Sequence, residues 1–447
     1  MTGITSTSSN ATTPTTSLTP ALPMDRDWLK KLILEHSSNP NHGKGLVVAP
    51  MVDQSDYAFR LLCRNYGANV TYTPMINAGL LVRSSTYQEK FLPRAHHAND
   101  RPVIAQLCGH DPLLLEQAAR LLLPYVDGID LNCGCPQGIA KRGFYGAFLL
   151  EEEDVLLKCV RHLVSTIPKP ISVKVRVLPQ GHDASMKLYH KLVHECGIHL
   201  LTIHGRTRHQ LQMKTGAADW TIVKRAVQEL GHVIPIFANG NIGSRDDVQA
   251  CFDATGADGV MSSEALLEYP ALFWHEPRIG RVRLAKEYLQ LARHHPPELG
   301  NQGSGIKCLK AHIHRFLHAD LEQSSMQSFQ DHVLRQRVAQ ASDWQVLWDT
   351  VMTIEQKQLQ EAHVVEHEEL SWYMRHRTTV TDARGNPMTA LELKTLSDQG
   401  VNKLASGYGY NYDDDDDAED DQEDPEEMGH SFFTPHGGGG HDIDGDY

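Results

Sequence analysis

No run of about eighteen consecutive apolar residues, the length that a membrane-spanning helix requires, occurs in this chain. We therefore expect no transmembrane segment. Residues 1–24 lack arginine and an apolar core, and are rich in Ser, Thr and Pro instead. That composition predicts a disordered N-terminal segment rather than a signal or transit peptide.

Cysteine pairs with the spacing of a metal site are also scarce. The eight cysteines are spread along the chain, none forms a Cys-x-x-Cys, and Cys133 and Cys135 make the single Cys-x-Cys. A structural zinc site needs about four ligands, so we expect no structural metal, with a metal-binding or buried structural thiol as the alternative for this pair. Scattered cysteines without a secretory signal predict free thiols in a reducing compartment, the cytoplasm or the nucleus.

Positive charge is absent from the C-terminal stretch 411–447, which holds fifteen Asp and Glu residues and no Lys or Arg. The formal net charge of −14 is therefore a property of this stretch, and the rest of the chain is close to neutral. A run of like charge repels itself and stays solvated. We predict an acidic disordered tail that keeps the protein soluble, with a regulatory role as the alternative.

The chain does contain a regular alternation of strand-like and helix-like segments. Eight short apolar runs are the predicted strands: Leu46–Ala49, Asn69–Tyr72, Val103–Leu107, Val126–Leu131, Ile171–Val175, Leu200–Ile203, Ile234–Ala238 and Asp258–Met261. Segments of helical period separate most of them, and an amphipathic helix is predicted over Asp25–His36. This pattern predicts an α/β protein with a (β/α)₈ TIM barrel over residues 40–278. An open, doubly wound sheet is the alternative, although it usually has fewer strands.

Polar residues recur at the C-terminal ends of the predicted strands, the face on which barrels carry their active sites. They include Gln106, Asn132, Cys135, Lys174, Arg176, His204, Asn239 and Ser263. Because they stay in phase with successive strands, we predict that they form one site.

Two of these positions indicate an anionic ligand. Lys174 lies inside an apolar strand, where its burial would be costly without an anionic or hydrogen-bonding partner. The segment Asn239-Gly240-Asn241 lets the backbone approach a ligand, and the loops after strands seven and eight often bind phosphate; an ordinary Asn-Gly turn is the alternative. No G-x-G-x-x-G follows the first strand, which argues against a Rossmann dinucleotide site.

From about Gly45 to Phe273 the chain resembles the tRNA-dihydrouridine synthases. The matching motifs, in order, are A-P-M-V around Pro50, Q-L-C at Gln106, N-x-G-C-P at Asn132, K-x-R at Lys174, H-G-R at His204 and N-G-N-I at Asn239. The Tyr72–Asn77 stretch and the Lys141-Arg142-Gly143 loop look most like the eukaryotic branch that reduces uridines 16 and 17 in the D-loop of tRNA.

The resemblance implies bound flavin mononucleotide (FMN), which delivers hydride to C6 of uracil and is reduced again by NADPH. It also implies that Cys135 protonates C5 as the general acid. The implied FMN-contacting residues are Pro50, Met51, Val52, Gln106, Lys174, His204, Asn239, Gly240, Asn241, Ser263 and Glu264. Many relatives have Gly-Arg in place of the last two residues, so backbone N–H groups would contact the phosphate there. Relatives commonly have leucine at the position of Cys133, which we interpret as a small buried hydrophobe.

The substrate implied by the resemblance is tRNA, whose uridine must turn out of the RNA to reach a pocket. The residues predicted to bind it are Asn132, Lys141, Arg142, Arg176, Arg206 and Arg208. Residues 279–400 would form a smaller helical tRNA-binding domain, in which Lys307, Lys310, His314 and His318 share one helix face. The segment Trp372–Arg377 mixes aromatic and cationic side chains and is a second candidate contact. An ordinary solvated face is the alternative.

Two other functions stay open at this point. One is a flavin oxidoreductase acting on a small dihydropyrimidine-type substrate, against which the helical domain argues. The other is a tRNA-binding protein without catalysis, against which the presence of Cys135, Lys174 and His204 argues. We expect a monomer.

Overall fold

The computed structural model describes residues 25–37, 41–93, 99–210, 215–275, 277–318, 320–321 and 329–361. The predicted disordered segment 1–24 and the predicted acidic tail 411–447 lie outside these ranges. Within them, no helix is both long enough and apolar enough to cross a membrane.

Parallel strands form a closed ring at the centre of the described chain. The strands are β1 Gly45–Val48, β2 Val70–Tyr72, β3 Ile76–Asn77, β4 Val103–Cys108, β5 Gly128–Cys133, β6 Ile171–Arg176, β7 Leu200–His204, β8 Ile236–Asn239 and β9 Gly259–Ser262. From β3 to β9 each strand pairs with the next, β1 pairs with both β2 and β9, and a pairing of β2 with β4 closes the ring. The predicted TIM barrel is confirmed, and the open-sheet alternative is wrong.

All eight predicted strands are present, but β3 was not predicted. It has two residues, follows Pro74, and pairs only with β4 at the rim. A strand this short carries no detectable alternation of apolar and polar residues.

Helices precede and follow the strands, and most of them cover the outside of the ring. They are α1 Trp28–His36, α2 Tyr57–Asn65, α3 Ala78–Arg83, α4 Ser85–Phe91, α5 Pro112–Leu122, α6 Gly138–Arg142, α7 Glu153–Thr166, α8 His182–His190, α9 Trp220–Leu230, α10 Arg245–Thr255, α11 Glu264–Glu268, α12 Arg281–His294, α13 Ile306–Phe316, α14 Phe329–Gln340 and α15 Trp344–Glu361. Several begin at a side chain that accepts a hydrogen bond from the first turn, as Asp111 does in α5 and Ser244 in α10.

The first helix, predicted from its apolar periodicity, closes the N-terminal end of the barrel. Trp28, Leu29 and Ile33 are buried against side chains that point into the barrel, including Phe237. The Trp28 indole donates to the carbonyl of His199, the residue before β7, at 3.0 Å. With this end filled by side chains, the opposite end is the one free to form a site.

The four helices from α12 to α15 form the described part of the predicted domain 279–400. Their apolar residues belong to the same hydrophobic core as the barrel helices. The remainder of that predicted domain, including Trp372–Arg377, lies outside the described residues.

A buried polar cluster joins these helices to the loop between β1 and α2. The Asp56 carboxylate accepts a hydrogen bond from the Cys308 thiol at 3.2 Å and lies 3.0 Å from Nε2 of His312. Both partners belong to α13, so this contact fixes α13 against the start of α2.

The predicted cationic face of α13 is not an open surface. Lys310 donates to the carbonyl of Ala341, and His314 is partly buried beside His318. Burial and then the neighbouring His318 lower the pKa of His314 to about 4, so this side chain is neutral at physiological pH. Lys307 is exposed and Lys310, His314 and His318 are partly buried, so the contact of this helix face with tRNA stays a prediction.

Candidate active site

The C-terminal ends of the strands bring most of the predicted residues to one mouth of the barrel. In a parallel ring every strand ends on the same side, so residues late in each strand become neighbours. Register confirms this proximity: Asn132 pairs with Lys174, Arg176 with His204, and His204 with Asn239.

The loop that carries Cys135 is held by the side chain of Asn132. The Asn132 Oδ1 accepts hydrogen bonds from the backbone N–H groups of Gly134 at 3.0 Å and Cys135 at 2.9 Å. Asn132 Nδ2 in turn donates to Gln106 Oε1 at 2.7 Å, and Gln106 Nε2 donates to Asp130 at 2.8 Å. A buried amide network therefore connects the barrel interior to the Cys135 loop.

A second segment packs directly on Cys135. The backbone N–H of Ala147 donates to the Cys135 carbonyl at 2.8 Å, and Gly146 has a φ of +66°. A Cβ on Gly146 would lie 2.5 Å from that carbonyl oxygen, so only glycine fits there. This contact explains the G-A pair in the Tyr145-Gly146-Ala147 stretch.

The thiol of Cys135 is partly exposed and suited to donating a proton. Burial raises its pKa above the ordinary thiol value, and nearby Arg176 and Lys174 oppose the rise. The thiol is therefore protonated at neutral pH. Its Sγ lies 3.8 Å from the Gln137 side-chain oxygen.

Cys133 lies on the other side of β5 from the site. Successive strand residues point in opposite directions, and Cys133 packs in the core between the barrel and its helices, near Cys159. Cys135 belongs to a separate cluster with Cys108 and Tyr145. The Cys-x-Cys pair is not among the metal-ligand groups found in the described residues, and the interpretation of Cys133 as a buried hydrophobe matches its position.

Positive charge is concentrated beside this loop. Burial, and then Arg176, lower the pKa of Lys174 to about 8, while burial and Arg206 lower the pKa of Arg176 to about 10. Burial and the three surrounding cations also bring the pKa of His204 well below its ordinary value. Each positive charge raises the free energy of protonating the basic groups beside it. A bound anion would lower that free energy.

Neutral oxygens partner these cations in the described structure. Lys174 Nζ donates to Asn239 Oδ1 at 2.9 Å, and Arg176 donates to the carbonyls of Gly134 and Thr207 at 2.7 and 2.8 Å. Arg176 thus also braces the Cys135 loop.

The Asn239-Gly240-Asn241 segment approaches His204 closely. Gly240 has a φ of +105°, and a Cβ there would lie 2.7 Å from Ala218 and 3.1 Å from the His204 ring. The Asn241 side chain bonds Arg206 and the backbone of Ala218 at 2.8 to 3.0 Å. The Asn241 amide is therefore engaged within the protein, and its backbone is the part left to face a ligand.

The other predicted residues lie around the rim. Pro50, Met51 and Val52 are partly buried in the loop after β1, Ser263 is partly buried before α11, and Glu264 is exposed. Lys141 and Arg142 are exposed at the end of α6, close in sequence to Cys135. Arg208 forms an ion pair with Glu151 at 2.7 Å and stacks over Phe148, so it does not point freely into the mouth.

Two buried residues of the network, Asp130 and Ser172, were not predicted. Asp130 accepts from the Ser172 hydroxyl and from Gln106, and burial raises its pKa to about 6. Its sequence signal is a charged residue between Ile129 and Leu131, the same signal that identified Lys174.

The sequence of this chain is similar to those of several named tRNA-dihydrouridine synthases and related proteins. A mouse protein named "tRNA-dihydrouridine(16/17) synthase [NAD(P)(+)]-like" is 44% identical over 277 residues, which cover 62% of this chain and 56% of the mouse protein. The Saccharomyces cerevisiae "tRNA-dihydrouridine(16/17) synthase [NAD(P)(+)]" is 38% identical over 280 residues, 61% of this chain and 64% of the yeast protein. A human "tRNA-dihydrouridine(20a/20b) synthase [NAD(P)+]-like" is 36% identical over 233 residues, 51% of this chain and 70% of the human protein.

The alignments thus leave more than a third of the mouse and yeast relatives unmatched. Residues 47–368 match the family model "Dihydrouridine synthase (Dus)", a range that spans the barrel and helices α12 to α15. The chain therefore belongs to the dihydrouridine synthase family.

Proposed function

We propose that this protein reduces uridine to 5,6-dihydrouridine in the D-loop of tRNA, at positions 16 and 17. The observation that carries the proposal is a protonated thiol, Cys135, on a braced loop beside a buried cationic cluster. The positions 16 and 17 rest on the names of the mouse and yeast relatives, which are more similar to this chain than the human 20a/20b relative is.

The residues at the mouth fit an FMN. Lys174, Arg176 and Arg206 bring positive charge together around the neutral His204 ring, which suits an anionic ligand. Gly240 lets the Asn239-Gly240-Asn241 backbone pack against Ala218 and the His204 ring, which places this segment beside the cations. The groups that would hold the flavin are Pro50, Met51, Val52, Gln106, Lys174, His204, Asn239, Gly240, Asn241, Ser263 and Glu264. When bound, FMN supplies hydride for C6 of uracil, with NADPH as the reductant that restores it.

Cys135 supplies the proton. Reduction of the C5–C6 double bond needs a proton at C5, and a thiol whose pKa is raised by burial holds that proton at neutral pH. The Cys135 N–H donates to Asn132 Oδ1 and the Cys135 carbonyl accepts from the Ala147 N–H, so both backbone polar groups of Cys135 are held. Cys135 therefore acts as a general acid from a defined position.

Asn132 has a smaller role toward the substrate than the motif implies. An amide side chain can make about four hydrogen bonds, and three of those of Asn132 are made to Gln106, Gly134 and Cys135. One N–H is left for the uracil edge. We infer that Asn132 mainly holds the Cys135 loop.

The exposed cations around the mouth suit an RNA backbone. Lys141 and Arg142 are exposed beside the Cys135 loop and are the groups we assign to phosphate contacts, with Arg176 and Arg206 deeper in the mouth. A flipped uridine costs a few kcal/mol of unstacking, which such contacts offset. We also infer a monomer, and a location in the cytoplasm or nucleus; the eight unpaired cysteines support the reducing compartment.

In the decisive experiment, tRNA that lacks dihydrouridine in its D-loop is incubated with the purified protein, FMN and NADPH. Dihydrouridine is then mapped along the tRNA. We expect product at positions 16 and 17, and a loss of roughly a hundredfold or more with Cys135→Ala. The matched control is Cys133→Ala, the same substitution two residues away on the core side of β5, which should keep most of the activity.

Other outcomes would change the proposal in defined ways. Product at other uridines would refute the 16/17 assignment and keep the reaction. Turnover of a free dihydropyrimidine without tRNA product would favour the small-substrate oxidoreductase. Tight tRNA binding by a protein that takes up no FMN would favour the binding protein.

A further inference from the structure

Asp130 begins a chain of side-chain hydrogen bonds whose far end is the Cys135 loop. Asp130 Oδ2 accepts from Gln106 Nε2 at 2.8 Å, Gln106 Oε1 accepts from Asn132 Nδ2 at 2.7 Å, and Asn132 Oδ1 accepts from the Gly134 and Cys135 N–H groups. We call Asp130, Gln106 and Asn132 the amide chain. All three side chains are buried.

The two ends of the amide chain fix its direction. A carboxylate can only accept hydrogen bonds and a backbone N–H can only donate. Gln106 must therefore turn its NH₂ group toward Asp130, which leaves its oxygen for Asn132. Asn132 must then turn its oxygen toward Gly134 and Cys135. Reversing either amide would face oxygen with oxygen or N–H with N–H.

We propose that Asp130 is a positioning residue: it orients Gln106 and Asn132 so that Asn132 holds the backbone of Cys135 in place for proton donation. The proposal rests on the proposed function only in what the positioned thiol is used for. Asp130 lies two residues before Asn132 in β5, and its side-chain hydrogen bonds reach the Cys135 loop through the amide chain. Its role is therefore indirect.

The surroundings of Asp130 supply a competing explanation. Lys174 is the neighbouring cation, Tyr72 is the other titratable group on the inner side of the barrel, and Cys133 lies behind Asp130 on the outer side of β5, so the charge of Asp130 could serve only to balance Lys174. Two substitutions separate charge from hydrogen bonding. Asp130→Asn removes the charge and keeps an oxygen that can accept from Gln106, whereas Asp130→Leu removes both at similar volume.

The experiment measures backbone hydrogen exchange in a peptide spanning Asn132 to Gln137, in the FMN-loaded protein and after FMN removal. Pro136 has no N–H, so the Gly134 and Cys135 amides contribute strongly to the signal. In Asp130→Leu we expect exchange of these amides to be roughly three- to tenfold faster, the effect of losing a typical hydrogen bond. Asp130→Asn should stay within about twofold of wild type. Thr202→Val, a buried substitution on β7, which is separated from β5 by β6, should leave exchange in this peptide unchanged.

The rate at which iodoacetamide alkylates Cys135 is a second, independent measure of how firmly this loop is held. The other seven thiols are buried, so Cys135 dominates the reaction of the folded protein. We expect faster alkylation in Asp130→Leu and a near-normal rate in Asp130→Asn. If Asp130→Leu does not fold, Gln106→Met breaks the next link of the chain and should produce the same faster exchange.

The proposal is overturned by wild-type exchange and alkylation in folded Asp130→Leu or in Gln106→Met. It is also overturned if Asp130→Asn behaves like Asp130→Leu, because charge rather than the accepted hydrogen bond would then be the cause. Neither measurement needs tRNA or turnover, so failure of the proposed uridine reduction would leave these results interpretable.

Discussion

The Lys174 ammonium on β6 lies 2.9 Å from Asn239 Oδ1 on β8, across the intervening strand β7. A neutral oxygen is a weak partner for a buried cation, and burial lowers the pKa of Lys174 to about 8. The same arrangement leaves Lys174 ready for an anionic ligand that shares this space.

We predict that FMN binding weakens as the pH rises from 7 to 9. The Lys174 pKa lies below its ordinary value, so the ammonium is mostly present at pH 7 and mostly lost one unit above pH 8. If FMN binds the ammonium form, its affinity should fall about tenfold over this range. Quenching of flavin fluorescence on titration of the flavin-free protein measures the affinity.

Two controls accompany this titration. Lys174→Met should bind FMN more weakly at pH 7 and show a flat profile. Riboflavin, which lacks the phosphate, shows whether the ammonium contacts the phosphate or the ring. A wild-type FMN profile that is as flat as that of Lys174→Met would contradict the prediction.

We predict that Cys135→Ser lowers dihydrouridine formation by roughly 10²–10⁴-fold and changes its pH profile. The protonated thiol is the active form, and burial raises its pKa, so wild-type activity should extend through neutral pH and decline only above the ordinary thiol pKa. A serine hydroxyl does not ionise in this range, so the variant should lack the alkaline decline. Initial rates at saturating FMN from pH 7 to 10 measure both effects. An equal alkaline decline in the two proteins would assign it to another group.

The strands and most of the residues at the mouth could be predicted from the sequence, because both depend on patterns among residues that are close together along the chain. A barrel places every strand end on one side, so a polar residue at the end of an apolar run is a site candidate without knowledge of its contacts. Lys174, His204 and Asn239 were found in this way. Asp130 carries the same signal but lies in mid-strand, and its importance depends on a hydrogen bond to Gln106 from another strand.

The exposure of α13 could not be predicted from its own sequence. Helical spacing correctly placed Lys310 and His314 on one face. Whether water or protein covers that face depends on distant residues such as Ala341, whose carbonyl accepts from Lys310. Likewise, the two-residue spacing of Cys133 and Cys135 could not show that these cysteines lie on opposite sides of the barrel wall.

We predict that metal chelation leaves the protein's stability unchanged. Asp56, Cys308 and His312 bring three ligand-type atoms within 4.8 Å of one another, which is the composition of a metal site. His312 uses Nε2 toward Asp56, and its buried Nδ1 has no hydrogen-bond partner in the described structure. A metal-bound imidazole carries hydrogen on its other nitrogen and usually donates it, so metal at Nε2 would leave a buried donor without an acceptor.

The measurement is the melting temperature with and without EDTA, together with elemental analysis of the purified protein. We expect no shift and no stoichiometric metal. One zinc ion per chain, or a melting temperature lowered by several degrees in EDTA, would refute this. His312→Ala should still destabilise the protein, by about 3 to 5 kcal/mol, because the ring stacks on Phe59 in the core.

Trp28→Ala tests whether α1 stabilises the barrel from the end opposite to the site. Trp28 is 8% exposed, packs with the side chains inside the barrel, and donates to the carbonyl of His199. Replacing a buried tryptophan with alanine should lower the free energy of unfolding by about 3 to 5 kcal/mol. Leu34→Ala is the matched control on the same helix, because Leu34 is 52% exposed and its loss should change stability by less than about 0.5 kcal/mol. Urea denaturation of both variants measures the difference, and equal midpoints would mean that α1 does not support the barrel. Because α1 contacts the N-terminal strand ends, the folded Trp28→Ala protein should keep the wild-type rate of dihydrouridine formation at 25 °C.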